Sequence, residues 1–369
     1  MNLNKTLSEY FNQDMDGRLL EVNRAFHGLY SILSLLKQKR GGNKVLYSTT
    51  TCASPVYAAS YAGLEPVFAD ISPKDYLMDE NETLSLIEKY KDNLVAVVYI
   101  YVFGHTSDAV FRIKDKCKQY GIYLIEDLAQ AFGSSIKGIP TGLIGDFAVL
   151  SFGHSKQIDA KRGGVIVNNA ADILTNKEIK DSLDSLQLVI PSQELSNSYG
   201  TNFYANRKRA LANDEDFALY RDFIYTYKDL YFSEAPVNWD LIQEKIEYYL
   251  KFDITEKRNK IAKEYYDRLK PLSEYIYCPD IKDGYSVYRY TIVLKGDIDL
   301  EDFSEYLRQN GINCSNLYIP INRFYGETGC PQANALAHKG VNLWVDPSIA
   351  NEDYINNTIQ QIMKYYGGK

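Results

Sequence analysis

The stretch 123–169 limits what this chain can fold into more than any other. It contains three short apolar runs, each bounded by glycine or polar residues. Tyr123-Leu124-Ile125 leads into the carboxylates Glu126-Asp127, residues 147–150 lead into Ser151-Phe152 with Lys156 beyond, and Val165-Ile166-Val167 follows Gly163-Gly164. Runs of this kind read as buried strands. Ligands of open α/β sheets bind at the carboxyl ends of such strands, which puts Asp127, Ser151 and Lys156 at one crevice.

An acid, a hydroxyl and a lysine at one crevice suit pyridoxal 5'-phosphate. A lysine amine condenses with its aldehyde, an aspartate pairs with the protonated ring nitrogen, and a small hydroxyl holds the phosphate. Each residue alone also has a structural reading: a surface lysine after a strand, or an acid capping a helix. The combination and its spacing favour the chemical one.

The same segment is similar to the signature of the sugar aminotransferases of the DegT/StrS type, within the aspartate aminotransferase superfamily. That family carries E-D-x-A-Q, then G-D, then S-F-x-x-x-K, then G-G before a strand. Here they stand as Glu126-Asp127-Leu128-Ala129-Gln130, Gly145-Asp146, Ser151-Phe152-Gly153-His154-Ser155-Lys156 and Gly163-Gly164. The resemblance implies an α/β fold, the fold type I PLP-dependent transferase. It has a large domain with a mainly parallel central sheet (1–245) and a smaller C-terminal α+β domain (246–369). It implies an aminotransferase moving an amino group, with glutamate the expected donor, to a keto sugar nucleotide in polysaccharide or glycoconjugate biosynthesis. Lys156 and Asp127 are then catalytic. Gln130 reaches the ring hydroxyl, Ala129 lies beneath the ring, and Ser151 with the Gly28 and Leu29 amides binds phosphate. Tyr318 of the Y-x-P motif, His154 and Arg207 are the substrate-binding candidates. A homodimer with a shared active site follows, the segment 202–209 (Asn202, Asn206, Arg207, Lys208, Arg209) crossing to the partner.

The chain departs from the family pattern in places. A Ser-Gly-Thr is expected where His27-Gly28-Leu29 stands, and an aromatic after threonine where Thr51-Cys52 stands, so Cys52 becomes the ring-contact candidate. Leu343-Trp344-Val345 replaces L-P-L. Periodicity predicts a helix over 17–39, strands over 45–47, 65–71 and 95–101, and a helix over 108–120. A helix is expected over 176–187 and an irregular polar stretch over 191–213. Beyond it come a divergent helical segment over 214–231, one long helix over 239–269, strands over 285–294 and 312–319, and helices over 300–310 and 353–365. Asp70, in P-V-F-A-D, reads as structural, and His105 as a loop histidine near the site.

Composition narrows the alternatives. A net charge of -7 lacks the basic footprint of a nucleic-acid binder. The apolar run 94–103 is far short of the roughly 20 residues of a membrane helix. Five scattered cysteines without a CxxC suit a reducing, cytoplasmic setting, which the polar start, read as no signal peptide, also suits. The four histidines form no metal-ligand cluster, so no metal is expected. Three rival functions stand beside the main one. A small phosphorylated ketone is an alternative acceptor. A sugar dehydratase is disfavoured because such relatives replace the lysine with histidine. A binding protein that keeps the cofactor without turnover is the rival outside enzymes.

Overall fold

The structure, a computed structural model, describes residues 3–212, 223, 225–316 and 318–367. Nine strands belong to the first half of the chain: β1 (Leu19–Val22), β2 (Lys44–Ser48), β3 (Glu65–Ala69), β4 (Leu94–Ile100), β5 (Tyr123–Asp127), β6 (Ser135–Ile136), β7 (Ile139–Pro140), β8 (Phe147–Ser151) and β9 (Gly164–Asn168). Seven of them form one sheet in the order β1-β9-β8-β5-β4-β2-β3, while β6 and β7 pair as a separate hairpin. Strands β8, β5, β4, β2 and β3 are parallel to one another; β9 runs against β8 and β1 against β9. Every residue of β4 is buried, because helices cover both faces of a parallel sheet. Val97 and Tyr99 enter the core on one side, Val98 and Ile100 the core on the other.

The expected helix over 17–39 is a strand followed by a helix. Leu19, Leu20 and Val22 suit either period, and pairing decides: β1 lies in register with β9 from Leu19↔Val167 to Val22↔Gly164. Arg24, extended at φ -150 and ψ 145, then caps the helix Ala25–Arg40.

The second half builds a smaller antiparallel sheet, β10 (Ile276–Tyr277), β11 (Tyr290–Leu294), β12 (Cys314–Ser315) and β13 (Gly340–Leu343), in the order β10-β11-β13-β12. Its core joins Tyr265, Tyr290, Ile292, Phe303, Leu343 and Ile359. The expected strands are shortened here. Ser286 and Tyr288 are spent on contacts with the large lobe, their N–H groups donating to Gly104 O and Phe103 O at 2.9 and 2.8 Å, and Tyr318, at φ 75, cannot continue an extended strand.

The single helix expected over 239–269 is two, Trp239–Lys251 and Ile254–Leu269. Asp253 breaks it: its backbone is left-handed (φ 45) and its carboxylate accepts from Glu256 N–H at 3.2 Å, capping the second helix. Ile242, Ile246 and Tyr249 of the first helix pack in the large core, and Ala262, Tyr265 and Leu269 of the second in the small one. The stretch expected to be irregular over 191–213 is the helix Gln193–Ala212. Most of the helical segment expected over 214–231 falls outside the described residues, which pick up a helix again at Lys228–Tyr231.

Candidate active site

The sheet order reverses between β4 and β2, and the carboxyl ends of β2, β4, β5 and β8 open at that point. Asp127 ends β5. It is 5% exposed, and among the described residues only the Ala129 N–H donates to its carboxylate, at 2.9 Å. Burial pushes its carboxyl up, while the Ala129 hydrogen bond and the Lys156 charge pull it back. A buried carboxylate with an open oxygen is costly unless a cation meets it.

Lys156 follows a tight turn. Ser155 has φ 63, and the Lys156 N–H donates to Gly153 O at 3.3 Å. Among the described residues no carboxylate forms an ion pair with its ammonium. Its charge acts on Asp127 and also on Cys52, whose thiol burial pushes up against that charge. Cys52 is the N-cap residue of the helix Ala53–Tyr61, and it also lies in the field of Asp127. The next residue holds Lys156 in place: Gln157 Oε1 accepts from Phe132 N–H at 2.9 Å, and its Nε2 donates to Ser286 Oγ at 2.8 Å.

Gln130 bridges the lobes. Its Oε1 accepts from the Phe103 N–H at 2.8 Å, and its Nε2 donates to the Tyr318 hydroxyl. Tyr318 is thereby fixed beside the site, with Cys52 and Asp127 in the field of its phenol, which burial pushes well up. Tyr288 reaches across in the same way, its hydroxyl donating to Ser155 O at 2.8 Å.

The anion-binding end differs from expectation. Ser151 ends β8 opposite Gly164, and a Cβ placed on Gly164 would come within 2.8 Å of Ala25 N. The helix Ala25–Arg40 therefore starts beside Ser151. His27 and Gly28 N–H both donate to Arg24 O, at 3.0 and 3.4 Å. Gly28 packs on Ile166, and Leu29 is buried in the core behind the sheet. Gly28 and Leu29 are thus one turn too deep to hold an anion. Among the described residues the open amides are those of Ala25 and Phe26, at the positive end of the helix. Two guanidiniums add to this field. Arg24 donates to Leu230 O and to Ser233 Oγ (3.1 Å), and Arg162 to Asn23 Oδ1 (2.7 Å) and Ser233 O. Burial and the neighbouring Arg24 bring the Arg162 guanidinium down to about 10.

The other candidates fall elsewhere. The His154 side chain is 78% exposed and sits with Asp159 (3.4 Å) and Lys161 (3.3 Å) on the outside of the turn. Arg207 lies within the helix Gln193–Ala212, its side chain outside the described residues. On that helix Asn202 donates to the Tyr227 hydroxyl of its own chain at 2.7 Å. His105 is fully buried with Nδ1 2.8 Å from Asp75 O. Asp70 accepts from Gln332 and Ala333 N–H at 2.8 and 2.9 Å, capping the helix Pro331–Lys339. Glu126 accepts from Tyr101 OH, Gly142 N–H and Ile144 N–H at 2.7 to 2.9 Å and shapes the loop rather than the chemistry. Among the described residues no three His, Cys, Asp or Glu side chains gather to hold a metal ion. Sequence reasoning missed Gln157, Ser286, Tyr288 and Arg24. The signal for Gln157 was its place after the lysine; the others gave none without the fold.

The profile of the DegT/DnrJ/EryC1/StrS aminotransferase family matches residues 3–187. The GDP-perosamine synthase of Vibrio cholerae is 32% identical over 136 residues, 37% of this chain and 36% of the enzyme, so the match spans about a third of that relative's length. An uncharacterised protein of Methanocaldococcus jannaschii is 24% identical over 362 residues, covering 93% of this chain and 85% of that protein. The crystal structure of the aminotransferase TlmJ from Streptoalloteichus hindustanus superimposes with a TM-score of 0.75 at 17% identity, covering 99% of this chain and 90% of that one.

Proposed function

This chain belongs to the DegT/DnrJ/EryC1/StrS aminotransferase family, and from that premise we propose that it transfers an amino group, with glutamate as donor, to the ketone of a nucleotide-linked sugar. The observation that carries the reading is Asp127: a buried carboxylate at a strand end, one oxygen open, beside a lysine without an acid partner. That donor set fits pyridoxal 5'-phosphate. Asp127 would meet the ring nitrogen, Lys156 the carbonyl carbon, and Gln130 the ring hydroxyl. Ser151 with the Ala25 and Phe26 amides would hold the phosphate. When bound, the group supplies a carbonyl for linking to amines and an electron sink for the carbanion.

This chain's own residues do the rest. Lys156 Nζ takes a proton from the donor carbon as base and, in the second half of the reaction, gives one to the acceptor carbon as acid. Asp127 keeps its negative charge against a cationic partner, which burial makes strong. Ala129 and Cys52 line the two faces of the slot between them. Gln130 and Tyr318 tie the small lobe down over the site and exclude water. The presence of Lys156 also argues against the dehydratase alternative.

The relatives' names support the acceptor class. One relative is a GDP-perosamine synthase and another, from Campylobacter jejuni, a UDP-4-amino-4,6-dideoxy-N-acetyl-beta-L-altrosamine transaminase. We propose a homodimer and a cytoplasmic location as well. No helix among the described residues is long and apolar enough to cross a membrane, and all five cysteines are free. The test is a panel of keto sugar nucleotides and small keto phosphates with glutamate as donor. Turnover of only the small ketones overturns the acceptor class, and no turnover with any of them overturns the activity.

A further inference from the structure

Two residues at the lobe boundary hold a backbone conformation that side chains resist. Phe103, after β4, has φ 59, and Ser155, in the turn before Lys156, has φ 63. Left-handed backbone is disfavoured roughly tenfold for a residue with a Cβ, and such residues persist where their surroundings hold them. Tyr288 of the small lobe bonds to both. Its N–H donates to Phe103 O at 2.8 Å, and its hydroxyl donates to Ser155 O, also at 2.8 Å. The tyrosine is itself fixed. It is 5% exposed, and the Arg289 guanidinium lies 4.4 Å from the centre of its ring.

The bond to Ser155 bears on Lys156. The Ser155 N–H donates to Asp159 Oδ2 at 2.9 Å, a contact inside the same loop. Among the described residues, Tyr288 is the one hydrogen-bond partner of Ser155 from outside that loop. Ser155 is exposed, so packing does not force it into this shape. Returning Ser155 to ordinary right-handed backbone would swing the next peptide. The Lys156 side chain would then turn away from Asp127, on which its charge now acts. A displacement of about 1 Å at a reacting group can cost roughly a hundredfold in rate. Resting on the aminotransferase reading, we infer that Tyr288 is a positioning residue: its hydroxyl holds Ser155 in the left-handed turn that aims Lys156 into the crevice. Its two bonds make that aim depend on the small lobe being seated on the turn after β4. A tyrosine that only tied down a surface loop would affect stability alone.

The test follows Lys156 itself. Tyr288→Phe keeps the ring, its burial and the backbone bond to Phe103, and removes only the hydroxyl. Cofactor-free protein is mixed with pyridoxal 5'-phosphate, and borohydride added at timed intervals fixes label on the Lys156 peptide. The variant should trap label roughly two- to tenfold more slowly, the range of one neutral hydrogen bond. Its kcat should fall by a similar factor while the donor and acceptor KM stay unchanged. A rescue is the second arm. Glycine is at ease at positive φ, so Ser155→Gly added to Tyr288→Phe should restore both trapping and kcat without returning the lost bond. Wild-type trapping in Tyr288→Phe, or a loss that Ser155→Gly leaves in place, overturns the inference. Should Tyr288→Phe not fold, Ser155→Val decides with Tyr288 intact. A β-branched residue at this exposed position opposes the left-handed turn, so it should slow trapping, and a wild-type rate overturns the inference. Absence of turnover in the unmodified protein sinks the aminotransferase reading, and the trapping arms still decide Tyr288.

Discussion

Gln157 Nε2 lies 2.8 Å from Ser286 Oγ and 3.1 Å from Ser286 O. The residue next to the candidate catalytic lysine is therefore bonded to the small lobe. Ser286 Oγ also donates to Phe132 O, and Ser286 N–H to Gly104 O at 2.9 Å. Lys156, the β4 loop and the small lobe are held by one set of polar contacts.

Gln157→Ala should loosen Lys156 without removing it. It leaves the Phe132 N–H without its acceptor, a loss of about 1–3 kcal/mol. Thermal melting should fall accordingly, and kcat should drop by more than the donor KM changes. Wild-type kcat in a measurably destabilised Gln157→Ala protein would show that the clamp is structural only.

Asp127→Asn should act in opposite directions on stability and rate. Burial raises the folded carboxyl above its ordinary value, so in the cofactor-free protein ionisation costs stability as pH rises through the carboxylate range, and the loss persists at neutral pH. The cofactor-free Asn variant should therefore melt higher than wild type at pH 7, with the gap closing in acid. Its loaded form should lose at least about 3 kcal/mol of catalysis. Near-normal turnover in the variant refutes the role of Asp127.

Lys156 should carry the cofactor. Loaded protein treated with borohydride should retain label on the peptide containing Lys156, and Lys156→Ala should retain none. Label on another lysine, such as the exposed Lys161 beside His154, would move the site.

Two buried histidines set the acid limit. Burial brings His27 and His105 down to about 4 from 6.5. Both are neutral in the native protein, so as pH falls from about 6.5 to 4 the unfolded chain takes up protons that the native one does not. Each histidine then costs roughly 1.4 kcal/mol of stability per pH unit. His105→Phe keeps a ring against Tyr285, now stacked at 4.6 Å, and should flatten the acid limb of the melting curve by one proton. An unchanged slope rules out His105 as one of the groups responsible.

Much of this was legible in the sequence because the central strands are continuous apolar runs, and a buried parallel strand such as 94–100 fits little else. The positions of Asp127, Gln130, Ser151 and Lys156 were legible because each ends or closely follows one of those strands. The edge was not. Leu19, Leu20 and Val22 fit a helix as well as a strand, and only pairing with β9, far along the chain, decides. That error displaced the expected phosphate contacts to Gly28 and Leu29, one turn inside the helix that really begins at Ala25.

The contacts of Ser286 with Gln157, Phe132 and Gly104 also bear on how the protein is made. Asp127, Ser151 and Lys156 lie before residue 170, whereas Ser286, Tyr288 and Tyr318 come from beyond 285. At a synthesis rate of about 5–20 residues per second, a nascent chain carries Asp127 and Lys156 exposed for several seconds before their cover exists. The unfinished chain can hold neither lysine nor cofactor firmly, so truncated products of this gene should not trap the cofactor.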